Sequence, residues 1–478
     1  MKKYDKQFIG GEWREGTGAS LLEDINPYTG EVLYTYRSAS KQDVDDAYAA
    51  AVKAQKAWAK TSPNEKKELI AKLADVILEM KDELYEVLTE EGGSTQSKCG
   101  FEFGDSYGMA KEALRYPHMM EGRIIPSNIP GKENYIWRSP KGVICVIAPF
   151  NFPVILALRS IIPAVACGNA VVLKPSSDTP ATAMLIGKYF EKAGFPKGLV
   201  NCIAGKGDEI GDYVVQHKSA ALVSFTGSTA VGSHIGEMAG KEIKDMSLEL
   251  GGNNTMIVLE DANIEQAAKA AVMGSYCHQG QVCMCLNRCV VLPAVYDKFV
   301  EEVVKEAKTY TVGDPKDPNT ALGPVVNPGQ AAKIKAIVEG TIEAGAKVEL
   351  EGKFEGNMVY PWVLSDVTND MPSAAKEVFG PVVSILRAAD EEDAIRIAND
   401  TEYGLSNSVY SGDRYHGIEV AKQMDSGMVH VNDQSINFEP HLMFGGAKKS
   451  GIGRFNNTWA IEEFTEDKWI SVTSVDLY

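Results

Sequence analysis

The chain lacks several features that would settle its class at once. No apolar run approaches the ~20 residues of a membrane-spanning helix; the longest, such as Val143–Phe150, stop far short. The first residues, Met1-Lys2-Lys3-Tyr4-Asp5-Lys6-Gln7, are polar and lack the apolar core of an export signal. Positive charge is in deficit, with 48 Lys and Arg against 65 Asp and Glu and a net charge of −17. That balance argues against nucleic acid or an anionic membrane as partner. It leaves room for an anionic cofactor, because local backbone dipoles can outweigh net charge at a phosphate site. Cysteine is sparse, eight in 478 residues, and no C-x-x-C pair occurs. The count excludes a disulfide scaffold and predicts reduced thiols in a cytoplasmic protein. Histidine is scarcer still, seven dispersed residues without an H-E-x-x-H motif. Neither a zinc-protease helix nor a Ser-His triad finds support there. Internal repeats, low-complexity segments and long linkers are also missing.

What remains is an ordinary globular composition, 44% apolar and 24% charged, long enough for roughly two to four domains. The first forty residues read as short strands and turns, and Lys41–Glu91 as a helical region with 3.6-residue spacing. From residue 141, β-branched runs alternate with helical patterns: Val143–Ile147, Ala170–Leu173, Val200–Ile203, Ala221–Phe225, Ser247–Leu250 and Thr255–Leu259. This alternation predicts βαβ units and a mainly parallel sheet covered by helices. A second α/β block is expected over 252–450, with helices near Ile264–His278 and Val295–Thr309, and the tail Trp469–Thr473 reads as a strand.

Four places suggest chemistry. Phe225-Thr226-Gly227-Ser228-Thr229-Ala230-Val231-Gly232 runs from a strand into a helix, which aims backbone N–H groups and a helix dipole at an anion. Its G-x-x-x-x-G spacing is not the G-x-G-x-x-G of dinucleotide folds, and Ser233 stands where a P-loop needs Lys, so a plain strand-to-helix turn stays open. Lys174, in Leu173-Lys174-Pro175-Ser176-Ser177, sits at a strand end where dinucleotide sites read ribose; a solvated surface lysine is the other reading. Four cysteines, Cys277, Cys283, Cys285 and Cys289, fall within thirteen residues. Their spacing does not suit a tetrahedral zinc site, so no metal is expected; they are either a nucleophile in a turn or inert packing. Glu249 is a lone carboxylate in an apolar strand ending in Gly251-Gly252. Burial there predicts a raised pKa and a general base, against the alternative of an acid facing water.

Taken together and in order, these segments resemble the aldehyde dehydrogenase superfamily over nearly the whole chain. Phe8-Ile9-Gly10-Gly11-Glu12-Trp13 is similar to its opening strand, Ala148-Pro149-Phe150-Asn151-Phe152-Pro153 to its asparagine loop, and Lys174-Pro175-Ser176 to its ribose-binding strand end. Phe225–Ser228 resembles the phosphate turn, Leu248-Glu249-Leu250-Gly251-Gly252 the general-base signature, and Gly280-Gln281-Val282-Cys283 the nucleophile signature. Glu377-Val378-Phe379-Gly380-Pro381 and Phe444–Gly451 resemble the nicotinamide-ribose motif and the late glycine loop.

The resemblance implies an α/β fold with a Rossmann-type cofactor domain (1–118 and 141–251), an α/β catalytic domain (252–450) and a small β oligomerisation arm (119–140 and 460–478) that makes a homodimer or homotetramer. It implies Cys283 as nucleophile, Glu249 as base for the hydrolytic water, and Asn151 as an oxyanion donor with the Cys283 N–H. Pro149, Phe150, Lys174, Ser176, Ser177, Gly227, Ser228, Gly251, Glu377 and Phe379 would form the cofactor site. Family members that prefer NAD usually carry Glu where Ser177 stands. Removing a carboxylate removes its repulsion of a 2′-phosphate, which predicts that NADP is accepted, even in preference to NAD. Met443, and Asn456-Asn457, also depart from the pattern, in local backbone only.

For the substrate, His278–Met284 and His430–Gln434 look most like the benzaldehyde, vanillin and salicylaldehyde branch. Phe152, Leu156 and Arg159 share a helix face by spacing and, with Phe444, would line the pocket. Arg159 would suit a polar ring substituent. It would equally suit the carboxylate of a succinate-semialdehyde-type substrate, or simply make a surface salt bridge. A catalytically silent scaffold of the same fold is the reading from another class, against which the retained Asn151, Glu249, Cys283 and Glu377 speak. Cys285, one residue from the nucleophile signature's Cys283, is a candidate redox partner for it.

Overall fold

The computed structural model describes residues 4–473. The β-branched runs become a parallel sheet in the spatial order Val200–Cys202, Ala170–Lys174, Val143–Ile147, Ala220–Thr226 and Asp245–Glu249. An antiparallel hairpin, Gln7–Ile9 with Glu12–Arg14, extends one edge, and Gly451–Ile452 closes the other beside Glu249. The strands read as unbroken apolar runs because both faces are covered by helices. From Val143–Ile147 the chain steps outward to one side, then crosses back to start Ala220–Thr226 on the other. At such a reversal the carboxyl ends of the neighbouring strands diverge and leave a crevice.

The helical region over Lys41–Glu91 divides into Lys41–Trp58, Pro63–Glu79 and Lys81–Gly92, followed by Gln96–Glu112. Ser40 with Asp43 and Ser62 with Glu65 form reciprocal capping boxes that start the first two helices. All four helices pack onto the core of the first sheet.

A second, seven-stranded sheet runs Lys347–Leu350, Trp362–Ser365, Val382–Arg387, Leu286–Val291, Asn254–Val258, Ser406–Tyr410 and Met428–Val431, parallel except for its first strand. Alternate residues feed cores on opposite faces: Ile257 and Val290 on one, Met256, Val258 and Cys289 on the other. The two sheets meet in opposite sense. The first offers strand carboxyl ends, while the second offers the amino ends of Asn254–Val258 and Leu286–Val291, just after Gly252 and Cys285.

The tail strand, Thr465–Thr473, pairs along its whole length with Lys132–Pro140, which in turn pairs with Arg123–Pro126. Residues 474–478 of the expected arm lie outside the described residues. Residues 460–463 of that expected arm are helical instead, within Asn457–Glu463, and Ala460 and Ile461 are buried in the first core. Their apolar side chains face inward, so the separate strand begins at Thr465. Among the described residues, no helix is long and apolar enough to cross a membrane.

Candidate active site

A cleft of about 390 Å³ occupies the crevice at the first sheet's carboxyl edge. Ile147 leads into Pro149, Phe150 and Asn151 on its wall, Lys174 ends the next strand, and Gly227 and Ser228 follow Thr226. Ser228 caps helix Thr229–Lys241, its Oγ accepting from Val231 N–H at 3.4 Å. Lys174 is not a solvated surface lysine. It is buried, its Nζ donates to the Pro175 carbonyl at 3.0 Å, and burial pulls its pKa down to about 8. Ser176 and the exposed Ser177 lie beside it on the wall. Asp178 does not line the cleft; its carboxylate accepts from Ser176 Oγ and Asn327 Nδ2.

Glu377 comes from the second sheet's side. Its Oε1 accepts from Gly252 N–H at 3.1 Å, and a Cβ on Gly251 would lie 2.5 Å from Oε2, so only glycine permits this approach. Burial lifts the Glu377 carboxyl to about 7. Phe379, held at φ 55°, sets its ring edge-on to Phe150 at 5.9 Å. Two cations, Lys174 and Lys333, a helix N-terminus and a buried carboxyl thus line one long cleft. This donor set fits a pyrophosphate flanked by two riboses.

The approach to Cys283 is strained. His278, Gln279 and Gly280 are consecutively left-handed, at φ 50°, 58° and 78°. For the two non-glycine residues this costs about 1–2 kcal/mol each. The strain ends the preceding helix at Tyr276 rather than at the expected His278. Gln279 Nε2 donates to the carbonyls of Gly93 and Pro324, and Gln281 Oε1 accepts from Val326 N–H, which hold the turn. A Cβ on Gly280 would lie 2.2 Å from the Gly380 carbonyl, so the turn also locks against the Glu377 loop. On the other side, Asn254 Nδ2 donates to the carbonyls of both Cys283 and Cys285.

Cys283 lines both this cleft and a second cavity of about 300 Å³; Asn151 and Leu156 share that position between them. Asn151 Nδ2 donates to the Gln281 carbonyl at 2.8 Å, which leaves its second N–H for a ligand. Burial pushes the Cys283 thiol up to about 12, with the Glu249 charge adding to the effect and Arg159 opposing it.

Glu249 is buried at the end of its strand rather than facing water, and neither carboxylate oxygen has a hydrogen-bond partner among the described residues. Burial raises it to about 7, opposed by Arg159 and Arg454 and slightly by the Gly446 amide, which falls short of a hydrogen bond. It lines neither cavity, but its charge acts on Cys283.

The second cavity is walled by Phe152, Ile155, Leu156, Met273, Met284, Phe438 and Phe444, with Phe101 and Asp105 from helix Gln96–Glu112. Arg159 is absent from this wall. It is fully buried, its guanidinium carbon 4.5 Å and 4.2 Å from the ring centroids of Phe444 and Phe455, with one N–H donated to Thr226 Oγ1. The shared helix face is real, but Arg159 lies behind Phe444, so it is neither a pocket residue nor a surface salt bridge. Cys285 is buried and outside both cavities, whereas Cys277 lines the second beside Cys283.

Sequence reasoning passed over Asn254, Gln279, Gln330, Lys333 and Asp105. None of them carried a signal for its place in the site, although Asp105 falls within a motif-like spacing. Gly104-Asp105-Ser106-Tyr107-Gly108 has the G-x-S-x-G spacing of a nucleophile elbow, yet it lies inside a helix with Ser106 buried, not on a strand-to-helix turn. Among the described residues, no three His, Cys, Asp or Glu side chains gather as a metal site requires.

A sequence model described as the aldehyde dehydrogenase family matches residues 13–470. A vanillin dehydrogenase of Corynebacterium glutamicum is 48% identical over 470 residues, 98% of this chain and 97% of that one. A benzaldehyde dehydrogenase of Bacillus subtilis is 47% identical, with the same coverage. Among solved structures, a salicylaldehyde dehydrogenase from Pseudomonas putida G7, complexed with salicylaldehyde, superposes with a TM-score of 0.96 at 35% identity and 99% coverage of each chain. An NAD-dependent benzaldehyde dehydrogenase from Corynebacterium glutamicum gives 0.91 at 44% identity, covering 98% of this chain and 99% of that one.

Proposed function

This chain belongs to the aldehyde dehydrogenase family, and from that premise we propose that it oxidises aromatic aldehydes to carboxylic acids with NAD as hydride acceptor. The observation that carries the substrate class is the second cavity: aromatic and methionine side chains wall it, Cys283 lines it, and no Lys or Arg does. The absent cation disfavours a succinate-semialdehyde-type substrate, whose carboxylate would meet no partner there. Relatives named for benzaldehyde, vanillin and salicylaldehyde support the same reading.

In this account Glu249, poised near neutrality, draws the proton from the Cys283 thiol, and the sulfur attacks the aldehyde carbon. The developing oxyanion takes the free N–H of Asn151 and the Cys283 backbone N–H, donors already fixed in place. Lys174 and the Ser228 turn would hold the cofactor's adenosine ribose and pyrophosphate, and Glu377 its nicotinamide ribose. When bound, the nicotinamide supplies a hydride acceptor. Once it has released the thiol proton to solvent, Glu249 deprotonates the water that hydrolyses the Cys283 thioester and releases the acid. Ser177 places no carboxylate against a 2′-phosphate, which supports acceptance of NADP beside NAD.

The exposed Ile124, Trp137 and Trp469 on the three-stranded arm support a homodimer or homotetramer joined there. Eight free cysteines agree with a cytoplasmic location. Initial rates with benzaldehyde, vanillin and succinic semialdehyde, each with NAD and NADP, test the proposal. Faster turnover of the two aryl aldehydes is expected; preference for succinic semialdehyde, or no turnover of any, would overturn it.

A further inference from the structure

The aldehyde cavity carries one polar group that the chemistry above leaves unused. Asp105 lines the cavity but not the cofactor cleft. Phe101, one helical turn earlier, lines the cavity too and is half exposed, which puts this face of the helix at the solvent end. The Asp105 side chain makes no hydrogen bond or ion pair with any described residue, in contrast to the cavity's other polar groups. Gln434 is closed on Ile436, its amide donating to that carbonyl and its oxygen accepting that N–H. Asn437 Nδ2 donates to the Gln434 carbonyl and to Asp433. Lys98, two turns earlier on the same helix, is committed to Glu102 in a buried pair.

We propose that Asp105 reads the ring substituent: its carboxyl accepts a hydrogen bond from a phenolic hydroxyl on the part of the ring remote from the aldehyde. Hydroxylated aryl aldehydes are then the preferred members of the substrate class. The inference rests on the aromatic reading above and sharpens it. A carboxyl left without a partner beside apolar walls is poorly solvated, and a hydroxyl donor offsets that loss, while a substrate carboxylate is repelled. Burial and the neighbouring Glu102 charge raise the Asp105 carboxyl to about 7, in keeping with a group that lacks any donor of its own. The flat aromatic walls, Phe101, Phe152, Phe438 and Phe444, favour a ring over a flexible aminoalkyl chain.

The test compares kcat/KM for 4-hydroxybenzaldehyde, benzaldehyde and a short ω-aminoaldehyde in the full-length wild type, Asp105→Asn and Asp105→Leu. The wild type is expected to favour 4-hydroxybenzaldehyde over benzaldehyde. In Asp105→Leu that ratio should fall by about tenfold or more, chiefly through KM, with Asp105→Asn intermediate because its amide oxygen still accepts. A ratio unchanged by either variant overturns the proposal, as does a wild type that prefers the aminoaldehyde. If the wild type turns over no aryl aldehyde at all, the aromatic reading itself fails, a result distinct from benzaldehyde turnover with no hydroxyl preference.

Discussion

Arg159 holds its guanidinium carbon 4.5 Å from the ring centroid of Phe444, and Phe444 is itself a wall of the aldehyde cavity. The cation therefore supports the cavity from behind without entering it. Its charge acts on Glu249, whose carboxyl it lowers against the effect of burial. Arg159→Met should accordingly raise the Glu249 pKa and move the acid limb of the kcat/KM–pH profile to higher pH. Were Arg159 a substrate-binding cation, its removal would instead raise KM for carboxylate-bearing aldehydes with the limb unmoved.

Glu249 gives a second prediction. With its carboxyl near 7, the rate should climb as pH rises through neutrality and then level. In Glu249→Gln the climb should vanish and kcat fall by about 10²–10⁴. Stability runs the other way. A carboxyl raised from its ordinary 4.5 to about 7 by folding contributes stability that is complete below pH 4.5 and lost as pH rises through 7. Thermal melts of Glu249→Gln should show a shallower decline over that interval than wild type.

The helix that follows Asn151 is held by a buried pair one helix away. Glu102 Oε1 accepts from the N–H groups of Val154 and Ile155 at 2.7 and 3.2 Å, capping the helix that follows Asn151, while Oε2 pairs with Lys98. Glu102→Gln leaves the Lys98 charge buried without a counter-ion, a change that typically costs about 3–5 kcal/mol. The melting temperature should drop, and the double variant Lys98→Met with Glu102→Met should recover part of the loss. A double variant less stable than Glu102→Gln would contradict this.

At the ribose end, Ser177→Glu should lower the NADP/NAD ratio of kcat/KM by about tenfold or more, through repulsion of the 2′-phosphate in a partly dry cleft. An unchanged ratio would show that Ser177 does not face that phosphate.

Much of this was legible in the sequence because the relevant signals are local. A lone carboxylate in an apolar strand predicts burial and a raised pKa, and Glu249 shows both. A strand, a glycine and a capping serine had to open a helix, and Gly227-Ser228 does. Depth was less legible. Helical spacing placed Phe152, Leu156 and Arg159 on one face, yet nothing in the spacing said that Phe444, from a loop nearly three hundred residues later, would come between Arg159 and the cavity. Lys174, read from its own segment, is an ordinary surface lysine, and only the sheet shows it buried. Asn254 reaches Cys283 and Cys285 from a neighbouring strand, and Lys333 reaches the cleft from a distant helix, where sequence distance carries no information about contact. Asp105 sits in a helix whose neighbours are ordinary, and only the cavity reveals what it faces.

The central claim is that Cys283 is the nucleophile, among four cysteines in thirteen residues. The most direct measurement is the rate at which Cys283→Ala forms reduced cofactor from benzaldehyde and NAD, with NAD binding followed alongside by quenching of protein fluorescence. The account predicts intact NAD binding and no detectable turnover. Wild-type-like turnover by this variant would contradict it.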